Sequence, residues 1–370
     1  MRCVLHIGTE KTATTTLQRH LDHQRSALAA KGVAVTRSAG TGNNWRLAVA
    51  AYDHDRHDDR SADAGITDAE SRRRFRAELV AGLKSELAAI TAEAGIGGSG
   101  IGGPGIGTVL FSSEHLHSRL TKPSEIERLA SLLADIGVTG TTVVVYLREP
   151  VSLAASLHST VVKHGSARRT PPPPEPGTYY HLLCDHRGSI ERWEAVFDDV
   201  VPRLFEPDAL LGGSILTDFA DALGVPTIPV DPDLDGGQLN RSLSTAELEV
   251  LCRINEHLSA IVDGRPNPRH VELVAALERH SIGPGYRLPP RLAERYREAF
   301  TDSNEWVRTR FFPDRSHLFA ADDPDHEPKH PPPGYDGLAA LVLELLETRG
   351  QADEADQAGQ ADQADCRALS

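Results

Sequence analysis

Short apolar runs alternate with amphipathic stretches through the N-terminal half of the chain. Cys3 to Ile7 is an apolar run stopped by Gly8, and Thr14 to Ala30 then carries Leu17, Leu21, Ala27 and Leu28 at helical spacing. The chain therefore opens as strand, tight turn and helix. Val33 to Thr36 reads as a second strand, and Thr67 to Ala94 as a long charged helix with Phe75, Leu79, Leu83 and Leu87 on one stripe. Thr108 to Ser112 is strand-like, Pro123 to Ile136 is helical, and the continuous run Thr141 to Leu147 fits a central parallel strand covered on both faces. Val151 to Lys163 and Gly188 to Phe197 are helical, Val200 to Phe205 is a strand, and Ser214 to Leu223 is a helix stopped by Gly224. From Thr245 onward the spacing is helical, near 245–262, 268–280, 290–312 and 335–348. Alternation followed by helices predicts a three-layer α/β fold with a central parallel sheet and an added C-terminal helical layer.

Three segments interrupt this pattern. Gly95 to Gly107 is a glycine-rich insertion whose backbone entropy opposes packing, and Ser166 to Gly177 is a loop holding Arg168, Arg169 and the prolines at 171 to 174. Gln-Ala-Asp repeats from 351 with almost no bulky apolar residue, so 350–370 reads as a disordered acidic tail behind a single domain over 1–349. Acidic residues outnumber basic ones, 53 to 39, and the resulting charge of −14 argues against nucleic acid or an anionic membrane as partner. Any anion site must be local. Cys3, Cys184, Cys252 and Cys366 form no CxxC pair, which argues against a zinc site or a disulfide framework. The opening apolar stretch is too short for a signal-peptide core, no run of about 18 apolar residues occurs, and a cytoplasmic location is expected.

The segment richest in chemistry is His6-Ile7-Gly8-Thr9-Glu10-Lys11-Thr12-Ala13-Thr14-Thr15-Thr16-Leu17-Gln18, lying after a strand and opening a helix. Backbone N–H groups of such a turn and the unpaired donors of the helix start converge on one point, where the helix dipole also favours negative charge. Lys11 adds a point charge and Thr12, Thr14 and Thr15 add hydroxyls, so the loop can cradle a phosphate or sulfate group. The plain alternative is a Thr-rich helix start beside a solvated lysine. A nucleoside triphosphatase would need Gly-Lys-Ser/Thr here and a strand ending in Asp; instead Glu10 precedes Lys11, and strand 141–147 ends in Arg148. Arg148 at a strand tip suggests a second anion, with Ser156 in the following helix facing the same crevice; taken singly, Arg148 reads equally as a surface ion pair with Glu149, and Ser156 more readily as a solvent-facing serine.

Together these residues resemble sulfotransferases that use 3′-phosphoadenosine 5′-phosphosulfate (PAPS), specifically bacterial members of that P-loop superfamily. Residues 6–18 resemble the family's 5′-phosphosulfate loop and Val-Val-Tyr-Leu-Arg-Glu-Pro-Val-Ser-Leu-Ala-Ala-Ser at 144–156 its 3′-phosphate motif. Weaker likenesses lie at 110–116, 218–224, 239–244 and 311–315. The resemblance implies a P-loop-type fold, PAPS as donor with 3′-phosphoadenosine 5′-phosphate (PAP) as product, no metal requirement, and a donor site of Gly8, Lys11, Thr12, Ala13, Thr14, Thr15, Arg148 and Ser156. Two positions depart from it. Ala13 replaces the usual glycine, which narrows the loop if the position needs a positive φ but which an N-terminal helical position would accept, and Thr16 replaces the tryptophan that stacks on adenine in eukaryotic members. Ser281 to Pro290, with Gly283, Gly285, Tyr286 and Arg287, is a candidate adenine or phosphate loop or else an ordinary interhelical turn.

The implied reaction moves a sulfonate group to the hydroxyl or amine of a carbohydrate or small-molecule acceptor. Lys11 would stabilise the leaving oxygen. Glu114, at the tip of strand 108–112, is the first candidate base, with His115 and His117 competing for the role and a merely orienting carboxylate as the alternative. Asn43-Asn44-Trp45-Arg46 reads as an acceptor pocket or as a helix start with Trp45 in the core, and His54, Asp55, His57 and Asp58 as a solvated loop. The competing functions are a small-molecule kinase or nucleotidase and a non-catalytic nucleotide-binding protein.

Overall fold

The computed structural model describes residues 1–93, 106–224, 243–281 and 284–320. Most of the glycine-rich insertion 95–107, the helix expected at 335–348 and the tail 350–370 lie outside the described residues. The described part falls into two compact units, one drawn from 1–153, 172–224 and 291–320, the other from 154–171 and 243–290.

The first unit is built on a five-stranded, fully parallel sheet of order β2-β3-β1-β4-β5. Its strands are β1 Arg2–His6, β2 Val33–Val35, β3 Thr108–Ser112, β4 Gly140–Leu147 and β5 Asp199–Leu204. Side chains alternate across each strand, and this period of two sorts the apolar residues into two cores. Cys3, Leu5 and Ile7 of the opening run, with Val109, Phe111, Val143, Val145 and Leu147, face one side; Val4, Leu110, Val144 and Tyr146 face the other. The second side is covered by α1 Thr14–His23, α2 Arg25–Ala29 and a further helix at Ile215–Leu223. The first side packs against α3 Trp45–Ala51, α5 Ala69–Glu93, α6 Glu114–Arg119, α7 Pro123–Asp135 and α10 His186–Glu194. The architecture is α/β with helices on both faces, as the alternation predicts.

Between these lie α4 Asp59–Asp63, α8 Pro150–Lys163, which runs from the first unit into the second, and α9 Tyr179–Cys184. The helix at Ile215–Leu223 is α11, and Asp218 on it is buried, accepting from Tyr146 Oη at 2.6 Å, from Arg203 Nε and Nη2 at 2.6 and 3.0 Å, and from the Leu211 N–H at 3.1 Å. This bolts α11 to β4 and β5, which gives residues 218–224 their packing role.

Several elements depart from the periodicity. The expected helix 14–30 breaks at Gln24, the helix start that is one of two readings of Asn43 to Arg46 is α3, and the short helices α4, α6 and α9 form where the spacing predicts none. Of the residues read as a solvated loop, His54, Asp55 and His57 are exposed and Asp58 is half-buried; the stretch is stapled through its neighbours, where Arg56 Nη1 donates to the fully buried Glu125 at 3.0 Å and Arg119 Nη1 bridges Asp58 and Asp59 at 2.8 and 2.7 Å. Asp59 is exposed as well, and among the described residues no group of three or more His, Cys, Asp or Glu could hold a metal ion.

The second unit contains α12 Thr245–Asn255, the hairpin β6 Ile261–Val262 and β7 Arg265–Pro266, and α13 Pro268–His280. The helix expected over 245–262 ends at Asn255, whose side-chain amide donates to the carbonyls of Val162 and Ser166, both at 2.8 Å. Asp263 and Gly264 then turn the chain with φ 50° and 71°, the two positive φ angles of a tight hairpin turn. The first unit closes with α14 Pro290–Phe311. Among the described residues, no helix is long and apolar enough to cross a membrane.

Candidate functional site

In a parallel sheet all strands point one way, so the loops after β1, β3 and β4 emerge at one edge, with β1 between the other two. The loop after β1 does not leave the sheet at once. Ile7 and Thr9 N–H groups donate to the carbonyls of Val144 and Tyr146 at 3.0 and 3.3 Å, and the Tyr146 N–H donates to the Gly8 carbonyl at 2.7 Å. The chain is thus pinned along β4 up to the loop itself. Gly8, Lys11 and Ala13 then take φ of 95°, 65° and 56°, and the Thr12 hydroxyl closes the loop by donating to the Thr9 carbonyl at 2.7 Å.

Ala13 is the N-cap of α1, in left-handed backbone with no side-chain cap on the helix. The alanine therefore does not occupy an ordinary helical position, as its departure from glycine suggested; it sits where glycine is the unstrained residue, at a cost of about 1–2 kcal/mol. Lacking an acceptor at Ala13, the N–H groups that open α1 at Thr14, Thr15 and Thr16 receive no side-chain cap, and they lie at the positive end of the helix dipole. Of the hydroxyls read as anion donors, that of Thr12 is buried and engaged within the loop, Thr14 is buried, and Thr15 is exposed.

Arg148 follows β4 and its Nη1 donates to the Lys11 carbonyl at 2.7 Å, so the guanidinium braces the loop from the neighbouring strand. The Arg148 carbonyl is in turn held by His186 Nε2 at 2.9 Å. Glu149 accepts from the Val151 and Ser152 N–H groups at 2.9 and 2.7 Å, capping the start of α8. Ser156 is half-buried on α8, in the part of that helix that belongs to the second unit.

Glu114 is the first residue of α6, just past the end of β3. A Cβ built on Gly8 would lie 3.0 Å from both Cα and Cβ of Glu114, so the loop backbone and this carboxylate's own backbone are in direct contact. Its Oε1 accepts from Asn43 Nδ2 at 2.7 Å and its Oε2 from Gln18 Nε2 at 3.0 Å. Asn43 is itself fixed, since its Oδ1 accepts from the Ser113 hydroxyl at 2.6 Å. The competing imidazoles have other surroundings. Burial, reinforced by Arg119 and Arg60, pulls His115 down to about 4. His117 is fully buried with neither ring nitrogen bonded and is pulled down to about 3 by the same cause. Both are neutral near pH 7 and weakly basic.

Two contacts had no place in the sequence reading. Tyr179 on α9 donates to Glu10 Oε1 at 2.7 Å, tying the loop to a residue 169 positions away. Gln18 was within the loop motif but unassigned; its distance of one helical turn from Thr14 was the available signal. Tyr286, the expected adenine platform, is instead core of the second unit, 8% exposed with its ring centroid 5.2 Å from that of His158; Gly283 lies outside the described residues. Trp45 opens α3 and packs against the core, leaving Asn43 as the member of that stretch that reaches the site. No protein-family model, no curated protein and no solved structure matches this chain.

Proposed function

We propose that this protein has a P-loop-type fold and transfers a sulfonate group from PAPS to a hydroxyl or amine of a carbohydrate or small-molecule acceptor. The observation that carries the reading is the uncapped start of α1 behind a loop of positive-φ residues, with Arg148 on one side and Glu114 on the other. In this reading the loop amides and Lys11 hold the 5′-phosphosulfate, and the helix dipole stabilises its charge. The acceptor O–H or N–H gives its proton to the Glu114 carboxylate as its oxygen or nitrogen attacks sulfur, and the bond from sulfur to the phosphate oxygen breaks. Negative charge then grows on that leaving oxygen, where Lys11 is the nearest cation of the loop. PAP leaves as product. A cytoplasmic setting agrees with Cys3, Cys184 and Cys252, which are buried free thiols.

Isothermal titration with PAP, and separately with ATP and magnesium, tests the donor assignment. PAP is expected to bind and ATP with magnesium to bind far more weakly; the reverse order makes the protein a kinase or nucleotidase. Arg148→Ala refines the test. Losing the brace on Lys11 weakens PAP and adenosine 5′-monophosphate alike, whereas losing a contact to the 3′-phosphate weakens PAP further. Equal losses would remove Arg148 from 3′-phosphate recognition.

A further inference from the structure

The Glu114 carboxylate is held at both oxygens by neutral amides that come from different parts of the chain. Gln18 projects from α1 and is 6% exposed; its Nε2 reaches Glu114 Oε2 at 3.0 Å and also points toward the Ser112 carbonyl at 3.5 Å, which fixes the orientation of the amide. Asn43 comes from the loop before α3. That loop is stitched to the end of β3 through its neighbour: the Asn44 N–H donates to the Ser112 carbonyl at 2.9 Å, and Asn44 Oδ1 accepts from the Ser112 N–H at 2.8 Å. The Ser113 hydroxyl bonds Asn43 Oδ1, so the Asn43 Nδ2 must face Glu114.

A carboxylate that accepts one hydrogen bond at each oxygen from fixed donors keeps its charge and loses its freedom to rotate. The origin of the donors matters as much as their number. Gln18 lies one helical turn from Thr14, so the base is referenced to the helix whose N-terminus is the anion site. A lysine or arginine in either place would form an ion pair with the carboxylate; glutamine and asparagine hold it by hydrogen bonds alone.

We infer that Gln18 and Asn43 are positioning residues that aim the Glu114 carboxylate at the acceptor, Gln18 setting its distance from the donor helix and Asn43 its rotation. The inference rests on the transferase reading for what Glu114 does, but not for how Glu114 is held. Neither amide touches the reacting atoms; each acts through Glu114.

Gln18→Met, which keeps the side-chain volume and helix preference without the donor, and Asn43→Ala separate the two contributions. Infrared difference spectra of protein carrying 13C-labelled glutamate, wild type against Glu114→Gln, isolate the Glu114 carboxylate band. In either positioning variant that band is expected to shift and broaden as one fixed partner is lost. An unchanged band overturns the inference whatever the protein catalyses. In a turnover assay that follows PAP release from PAPS with a panel of phenolic and sugar acceptors, each variant is expected to lower kcat about 10- to 100-fold while the KM for PAPS stays within about two-fold. In a Glu114→Gln background the same substitutions are expected to cost nothing more, because they act only through that carboxylate; a further loss there assigns them a merely structural role and overturns the inference. A wild-type protein that binds PAP yet turns over no acceptor overturns the transferase reading, and the infrared band then decides the positioning role by itself.

Discussion

Gly8→Ala probes the tightest point of the site. The residue has φ 95°, where an L side chain is strained by about 1–3 kcal/mol. Its new Cβ would lie 3.0 Å from Cα and Cβ of Glu114, and backbone of that kind cannot move aside as a flexible side chain would, adding about 1–3 kcal/mol of overpacking. Stiffening of the unfolded chain by alanine offsets about 0.4–1 kcal/mol. The net expected loss lies between about 1 and about 6 kcal/mol, centred on about 3, read from the urea midpoint at unchanged m-value. Gly137→Ala separates the two causes, because Gly137 has φ 90° but nothing within 4 Å of its built Cβ. It should show the conformational part alone. Because relief of the contact displaces Glu114, Gly8→Ala should also lower kcat more than it weakens PAP binding. A Gly8→Ala protein as stable as Gly137→Ala would refute the contact with Glu114, and one within about 0.5 kcal/mol of wild type would refute the strained loop altogether.

Three further outcomes follow from the same geometry. Ala13→Gly removes a side chain held at φ 56° and should leave stability unchanged or raise it by up to about 1 kcal/mol, with PAP affinity at least equal to wild type; a clear loss of stability would mean that the left-handed conformation is not there in solution. Asp218→Ala strands the Tyr146 hydroxyl without an acceptor and leaves Arg203 with Asp221 alone, so a loss of about 3–5 kcal/mol is expected by denaturant titration, without a specific effect on PAP binding. Finally, burial holds His6 and His117 at about 3 and His186 at about 4, all below their unfolded value near 6.5. The unfolded state therefore binds the extra protons, and stability is full above about pH 6.5 and falls as pH drops toward 4, by up to about 1.4 kcal/mol per pH unit for each histidine. A flat stability profile between pH 7 and 5 would contradict this burial.

What could be read in advance divides along physical lines. The strands β1, β3 and β4 were legible because a strand covered on both faces must be apolar throughout, and such runs stand out against a chain with as many charges as this one. The loop motif was legible because glycine, lysine and threonines between a strand and a helix have few other uses. Helices α6 and α9 were not, since six residues give too few turns for a periodic stripe, and tertiary packing holds them; of α3 only the start was readable. Asp263-Gly264 carried a hairpin signal that the surrounding helical spacing masked. The left-handed conformation of Lys11 left no mark, because lysine does not favour it; that of Ala13 showed only as a departure from the glycine usual in the family it resembles. Above all, sequence proximity says nothing of Tyr179 and Glu10, or of Asn43 and Glu114, which meet only when the sheet order brings their loops to one edge.

That edge also resolves an apparent conflict of charge. A chain with a net charge of −14 offers an anionic donor no general attraction, and the loop itself contains Glu10 beside Lys11. Moreover, Glu114 stands against the loop backbone. Each of these two carboxylates, however, receives hydrogen bonds from neutral groups: Glu10 from the Tyr179 phenol, Glu114 from the Gln18 and Asn43 amides. Neutral donors anchor a carboxylate without an ion pair of their own, while Arg148 directs its guanidinium to the Lys11 carbonyl and so stiffens the loop from within. The uncapped amides of α1 then supply a positive field that acts over a few ångströms only, near the helix start and not across the surface. A site built this way selects an anion by contact geometry rather than by long-range steering, so its affinity for PAP should fall only weakly as salt is raised from 50 to 300 mM, in contrast to a basic groove that collects polyanions.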